Sequence, residues 1–279
     1  HLACEERHTE DVETYVGKVA NAARKGDVDN LGTIFQQGLS APTFAKMAAL
    51  SRQMNHFFSL WLPAFCAEKY PDTYTVFAGG DDFFLIGPWL QTQKLAAEMR
   101  EQFRRYVAEN AAITFSAGIA VIKPGLPPGK LSAYAEEALE AAKAYPANEN
   151  EKRKQLGSKN SVCVYGQVVS WQQWSGIQEA FERIGRLKEA YGLSTGFVYS
   201  MLQFCEQAEA EKGGDINAGM WRSRFAYRTR RFVNDSKSIT DKNNGYAQLT
   251  EAFYQNGIEK LGAKYRIPLF NHFYLLRAK

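Results

Sequence analysis

The chain has 279 residues, 45% of them hydrophobic and 13% aromatic, with a net charge of +4. That is enough apolar material for a sizeable core and for two domains, and so mild a positive charge does not by itself point to nucleic acid. No apolar run approaches the roughly 18 residues of a membrane span, and the polar start "HLACEERHTE" excludes a signal peptide.

Cys4, Cys66, Cys163 and Cys205 are too widely spaced for a zinc ribbon or a disulfide-dense module, and read as reduced thiols of a cytoplasmic protein. His1, Cys4 and His8 cluster near the start, where chance explains them better than a metal. Residues 1–24 show no clear period and read as the end of a linker or an incomplete segment. "KVANAARK" is poor strand material. "KGDVDNLGTIF" (25–35) combines turn chemistry with acids and an apolar run.

From Pro42 to Cys66 apolar residues recur at helical spacing. "DTYTVFA" (72–78) alternates and is rich in β-formers, and "FFLIGPW" (83–89) reads as a second, buried strand. A helix follows over 91–109, then a strand in "AAITFSAGIAVIK" (111–123) and a helix in "LSAYAEEALEAAKAY" (131–145), ended by Pro146. A polar loop spans 147–159 before the last strand, "SVCVYG" (161–166). Beyond Gly166 the periodicity is helical, with no strand expected. These elements give an α+β chain: a ferredoxin-like domain over 25–166 and an all-helical domain over 167–279.

In the split β-α-β-β-α-β pattern, right-handed crossovers make the first two strands parallel. The hairpin turn of "AGGDD" then lies beside the end of the first strand. Asp27 and Asp29 would therefore meet Asp81 and Asp82. Gathered carboxylates repel and call for a cation, and oxygen donors favour Mg²⁺ or Mn²⁺ over zinc. Gly79 and Gly80 permit a tight turn and a close phosphate approach. The competing reading is a solvent-exposed acidic turn; the strand order favours the metal site. Ser116 could face either the site or the core.

"AGGDD" between two strands, preceded by "GDVDNLG" and followed by "ITFSAGIAV" and "AEEALEAAK", resembles the palm domain of the GGDEF and nucleotidyl-cyclase superfamily. The GGDD variant and the helical tail narrow the resemblance to the large subunit of type III CRISPR effector complexes, the Csm-type polymerase-cyclase, in its C-terminal portion. The HD nuclease, first palm domain and zinc-bearing linker of that family are not matched. The resemblance implies conversion of ATP into cyclic oligoadenylates when the complex binds target RNA. It implies Asp27, Asp81, Asp82 and the Val28 carbonyl as metal ligands, with Asp81 and Asp82 catalytic. Nucleotide contacts would come from Gly79, Gly80, Lys143 and Lys159, although each lysine also reads as an ordinary solvated charge. The implied partners are guide and target RNA and other Csm-type subunits, the small subunit among them, with no membrane. A diguanylate cyclase using GTP is an alternative, weakened by Asp81-Asp82-Phe83 in place of Asp-Glu-Phe and by "KYPD" in place of the RxxD motif. An inactive RNA-binding scaffold is another.

In "WRSRFAYRTRRF" (221–232), Arg224, Arg228 and Arg231 share one helix face. Arginines without a lysine favour forked contacts, here to RNA or an acidic neighbouring subunit, over a merely solvated face.

Overall fold

The computed structural model describes residues 21–38, 43–122, 126–144 and 159–277. His1, Cys4, His8 and nearly all of the polar loop before Lys159 lie outside the described residues. The chain divides into two compact units, one ending at Trp171 and one beginning at Gln172.

The first unit is an α+β sheet domain. Strand β1 (Asn21–Val28) leads through a left-handed Asn30 into a short helix α1 (Leu31–Gln37). Helix α2 (Phe44–His56) is capped by the Thr43 hydroxyl, which accepts from Lys46 N. It continues through a π-helical turn (Phe57–Trp61) into α3 (Leu62–Lys69). Pro63 lies just after that turn and has no N–H to give to the ladder, which fits the irregularity. Strands β2 (Tyr74–Gly79) and β3 (Asp82–Pro88) form the expected hairpin. Then come α4 (Trp89–Tyr106), β4 (Phe115–Ile122), α5 (Pro128–Ala144), β5 (Ser161–Val164) and β6 (Gln167–Ser170). The sheet order is β2-β3-β1-β4-β5-β6; β1 is antiparallel to both of its neighbours, and β4 pairs parallel with β5.

Two sequence readings need correction. The poor strand material is a central strand: β1 lies between β3 and β4, and packing overrides propensity there. Ala22, Ala23 and Arg24 are fully buried. A Cβ on Gly26 would sit 2.2 Å from the Phe83 ring, so only glycine lets that ring lie across the strand. A strand also exists beyond Gly166. β6 pairs antiparallel with β5 through a turn in which Tyr165 and Gly166 both have positive φ (52° and 70°).

Strand alternation divides β1 between two faces. Arg24 and Gly26 lie on the face packed with Phe83, where Phe57, Phe58, Phe103 and Phe115 form an aromatic core. Ala23, Lys25 and Asp27 lie on the face covered by α5, where Ala23, Phe84, Ile86 and Ile122 pack on Leu131 and Ala135. Helix α5 presses close: a Cβ on Gly118 of β4 would lie 2.1 Å from Leu139 N.

Among its described residues the second unit is helical. It contains α6 (Trp171–Tyr191, which starts at the last residue of the first unit), α7 (Thr195–Lys212), a 3-10 turn (Ile216–Met220) and α8 (Trp221–Asp235). After these come α9 (Lys242–Leu249), a π-helical run (Thr250–Glu259) and α10 (Arg266–Arg277). Phe197, Met201, Trp221, Phe225 and Phe253 are among its core residues. No described helix is long and apolar enough to cross a membrane.

Candidate metal and nucleotide site

β1 ends at the hairpin turn. In the antiparallel register Asp27 stands opposite Asp82, and Gly79 opposite Asp82 on the other side. Two residues, Gly80 and Asp81, close the turn. Gly80 has φ 66°, with open space where a Cβ would go, so conformation rather than crowding calls for glycine. The turn is pinned from two sides. Val28 N donates to the Asp81 carbonyl at 3.0 Å, and Gly80 N donates to Asn55 Oδ1 of α2 at 2.8 Å. Sequence reading missed Asn55, which nothing sets apart from its polar neighbours Ser51 and Gln53 in the same helix.

Helix α5 supplies the cations and acids over this sheet edge. Lys143 Nζ lies 2.5 Å from Asp27 Oδ2, and the pair is only 22% and 25% exposed. One rung further along, Lys25 Nζ meets Glu136 Oε2 at 2.7 Å. Neither Lys25 nor Glu136 was singled out from sequence.

Burial, and then the negative charge of Asp27, raise the proton affinity of both Asp81 and Asp82 above the usual carboxylate range. Burial of Lys143 disfavours its charge, but the hydrogen bond and charge of Asp27 outweigh it and raise its pKa. The acids thus carry negative charge that Lys143 on Asp27 and Lys25 near Asp82 only partly offset.

Asp29 does not join them. It is buried and accepts from Thr114 Oγ1 at 2.7 Å, Ser116 Oγ at 2.8 Å and Asn160 N at 2.8 Å. Burial raises its pKa, and these three donors lower it. Ser116 is thereby turned to Asp29 in the interior. Lys159 acts electrostatically on Asp29, one residue from the Asn160 amide that Asp29 holds.

Among the described residues no three His, Cys, Asp or Glu side chains are close enough together to hold a metal ion. The acidic donor set is the Asp27–Asp82 pair, with Asp81 in the turn and the Val28 backbone alongside. Its chemistry still fits a hard divalent cation: all donors are oxygens, and the carboxylates are crowded enough to favour protonation. Gly79, Gly80, Asp81, Asp82, Asp27, Val28 and Lys143 share this edge, whereas Arg224, Arg228 and Arg231 belong to α8 of the second unit.

Comparison with known proteins bears on the family and the fold. The family described as Cas10/Cmr2, second palm domain, matches residues 21–162. The "CRISPR system single-strand-specific deoxyribonuclease Cas10/Csm1 (subtype III-A)" of Methanocaldococcus jannaschii is 35% identical over 159 residues, which cover 53% of this chain and 20% of that protein. The protein of the same description from Enterococcus italicus is 30% identical over 210 residues, 71% of this chain and 26% of its own length. The chain therefore spans about a quarter or less of these two relatives. Among solved structures, a Csm1-Csm4 cassette in complex with pppApApA superposes with a TM-score of 0.60 at 20% identity, over 92% of this chain and 38% of that one. The same cassette with AMPPNP gives 0.55 at 23% identity, over 75% and 30%. These structural likenesses speak for the fold, and with the profile match over the palm they show that the chain belongs to the Cas10/Cmr2 family, through its second palm domain.

Proposed function

We propose that this chain carries the nucleotidyl-transfer centre of a type III CRISPR effector subunit that makes cyclic oligoadenylates from ATP. The observation that carries the reading is the facing pair Asp27 and Asp82 at the closed end of a palm hairpin, with Lys143 on Asp27. Structures of similar fold were solved with AMPPNP, pppApApA and cA4, which supports an adenine nucleotide as the ligand class.

In this reaction a 3′-hydroxyl oxygen attacks the α-phosphorus of a second ATP. The new P–O bond replaces the α–β bridging bond, pyrophosphate leaves, and the hydroxyl proton passes to solvent. Mg²⁺ or Mn²⁺, held by Asp27, Asp82, Asp81 and the Val28 carbonyl, would neutralise charge developing on the transferred phosphate. Asp27 and Asp82 stand opposite each other on two adjacent strands, so the backbone already brings their carboxylates together. Lys143 sets an ammonium beside the same edge, within reach of a triphosphate. Gly79 and Gly80 keep the turn free of side chains where phosphates approach. Lys159 is the outer phosphate contact in this reading. The subunit works with guide and target RNA and with Csm-type neighbours, the small subunit included.

The test uses the full-length subunit in its assembled complex. It is incubated with α-labelled ATP or GTP and Mg²⁺ or Mn²⁺, with and without target RNA. Oligoadenylates dependent on RNA and abolished by Asp82→Ala are expected. A clear preference for GTP would move the chain to the diguanylate cyclases, and product unaffected by Asp82→Ala would remove the site.

A further inference from the structure

The Gly80-Asp81 turn is tied on one side to its own sheet and on the other to a helix. Val28 N on β1 takes the Asp81 carbonyl, and the Asn55 side chain of α2 takes the Gly80 N–H at 2.8 Å. The two ties differ in kind. Val28 belongs to the strand that carries Asp27, whereas Asn55 comes from an element that holds none of the assigned acids.

α2 is firmly fixed around Asn55. Tyr106 Oη donates to the Gln53 carbonyl at 2.8 Å, and Ser59 Oγ donates to the Asn55 carbonyl at 2.6 Å. Met54, Phe57 and Phe58 are buried. The Phe57 ring meets Phe103 edge-on at 5.0 Å, and Phe58 stacks on Phe83 at 5.6 Å. The π-helical turn starts at Phe57, two residues after Asn55, and such turns recur at functional sites. Asn55 itself is exposed, so burial does not account for its amide; the hydrogen bond of its side chain goes to the turn.

Gly80 is where the turn needs holding. A glycine at φ 66° with open space about it has many alternative conformations, and Asp81 and Asp82 follow it directly. Asp81 and Asp82 also feel the negative charge of Asp27, which works to spread a loosely held turn. The Gly80 N–H is a donor, so the amide end facing it is Oδ1, and the tie needs an acceptor at that reach.

We infer that Asn55 is a positioning residue for the acids of the hairpin. It carries the rigidity of α2 and the aromatic core to the Gly80 N–H, and so keeps Asp81 and Asp82 gathered with Asp27 for a divalent cation. In this role Asn55 touches neither metal nor nucleotide. The inference deepens the nucleotidyl-transfer reading and rests on it for turnover, but not for the state of the turn itself.

The experiment compares Asn55→Leu, which removes the acceptor, and Asn55→Asp, which keeps it, with wild type. In this chain without metal, residue-resolved hydrogen exchange is expected to show the Gly80 N–H exchanging about fivefold faster in Asn55→Leu, the worth of one such hydrogen bond. The amides of β3 stay as in wild type, and Asn55→Asp restores the protection of Gly80. Mn²⁺ titrated into the chain alone is expected to bind Asn55→Leu about tenfold more weakly, as when a group that orients metal ligands is lost. Asn55→Asp binds Mn²⁺ at least as tightly as wild type, since it adds a negative charge beside the acids. In the assembled complex at saturating Mg²⁺, kcat falls about tenfold in Asn55→Leu with KM for ATP unchanged, and Asn55→Asp recovers it. Wild-type exchange of Gly80 in Asn55→Leu overturns the inference. So does faster exchange with wild-type Mn²⁺ affinity and turnover, which makes the bond a prop of the turn alone. Equal losses in both variants assign the effect to the amide nitrogen and overturn the positioning role. Product that survives Asp82→Ala removes the nucleotidyl-transfer reading and leaves the exchange result standing.

Discussion

Lys143 on α5 and Asp27 on β1 form an ion pair of 2.5 Å across the palm, over the same sheet edge where Asp27 faces Asp82. The lysine thus sits on one of the two facing carboxylates. In the proposed reading Asp27 and Asp82 would hold the cation, and Lys143, released from Asp27, would be available to a phosphate.

Replacing Lys143 with Met is therefore expected to tighten binding of the free metal and weaken binding of ATP. The pair is mostly buried, so its loss costs on the order of 1 kcal/mol, as Asp27 is left without its counter-charge. Calorimetric titration with Mn²⁺ alone and then with ATP reads the two effects separately. Weakening of both would make Lys143 only a structural prop for Asp27.

Asp81→Ala with Asp82→Ala should abolish product while leaving the palm folded. Both carboxyls have raised proton affinity, through burial and then through Asp27. A raised carboxyl pKa means that the folded state binds more protons than the unfolded one. These groups therefore cost stability at neutral pH, and the cost disappears as pH falls through the folded pKa into the ordinary carboxylate range. The double variant should melt at or above wild type at pH 7, and the difference should vanish at low pH. Mg²⁺ should raise the melting temperature of wild type only.

The hairpin was legible because glycines and aspartates between two β-rich runs leave little choice but a tight turn. Strand β1 was not, since Ala22, Ala23 and Arg24 are weak β-formers whose place is set by packing between β3 and β4. β6 hid behind a turn whose Tyr165-Gly166 pair, both at positive φ, does not advertise itself as Asn-Gly would. Asp27 and Asp29 look equivalent in "GDVDNLG". The strand ends at Val28, so alternation no longer decides where Asp29 points, and Thr114, Ser116 and Asn160 claim it. The arginine face of α8 was visible by spacing, but not that Arg228 donates to the Gly196 carbonyl.

Gly118→Ala should destabilise the palm by about 1–3 kcal/mol or more. The added methyl would meet Leu139 N at 2.1 Å, Ala138 C at 2.5 Å and Ala135 O at 2.6 Å, all helix backbone that cannot rotate away. The relief available is outward movement of α5, which carries Lys143 away from Asp27. Thermal melting reads the cost, and a weakened dependence of ATP affinity on Lys143 reads the displacement.

The last expectation concerns Asp29, a buried acid whose carboxylate hydrogen-bonds to none of the residues assigned to metal or nucleotide. Its carboxylate holds the Thr114 and Ser116 hydroxyls and the Asn160 amide, and its own N–H donates to the Thr114 carbonyl at 2.8 Å. It therefore clasps the end of β1 to β4 and to the start of β5, one residue beyond Val28 and two beyond Asp27. Asp29→Ala leaves three donors without their acceptor and is expected to cost about 3 kcal/mol. Asp29→Asn keeps the shape and one acceptor oxygen, toward which the hydroxyls can rotate, but turns an NH₂ toward Asn160 N; about 1–2 kcal/mol is expected. The pH dependence separates this role from a catalytic one. Burial raises the Asp29 pKa, so ionising it costs the folded state, and wild type gains stability as pH falls through that raised value. Asp29→Asn has no proton to take up and should lose that part of the pH slope. In the assembled complex its product formation should fall about tenfold, with ATP affinity nearly unchanged, because Asp27 shifts against Asp82 while Lys143 stays on α5. Wild-type turnover together with an unchanged melting profile in Asp29→Asn would show that the clasp positions nothing.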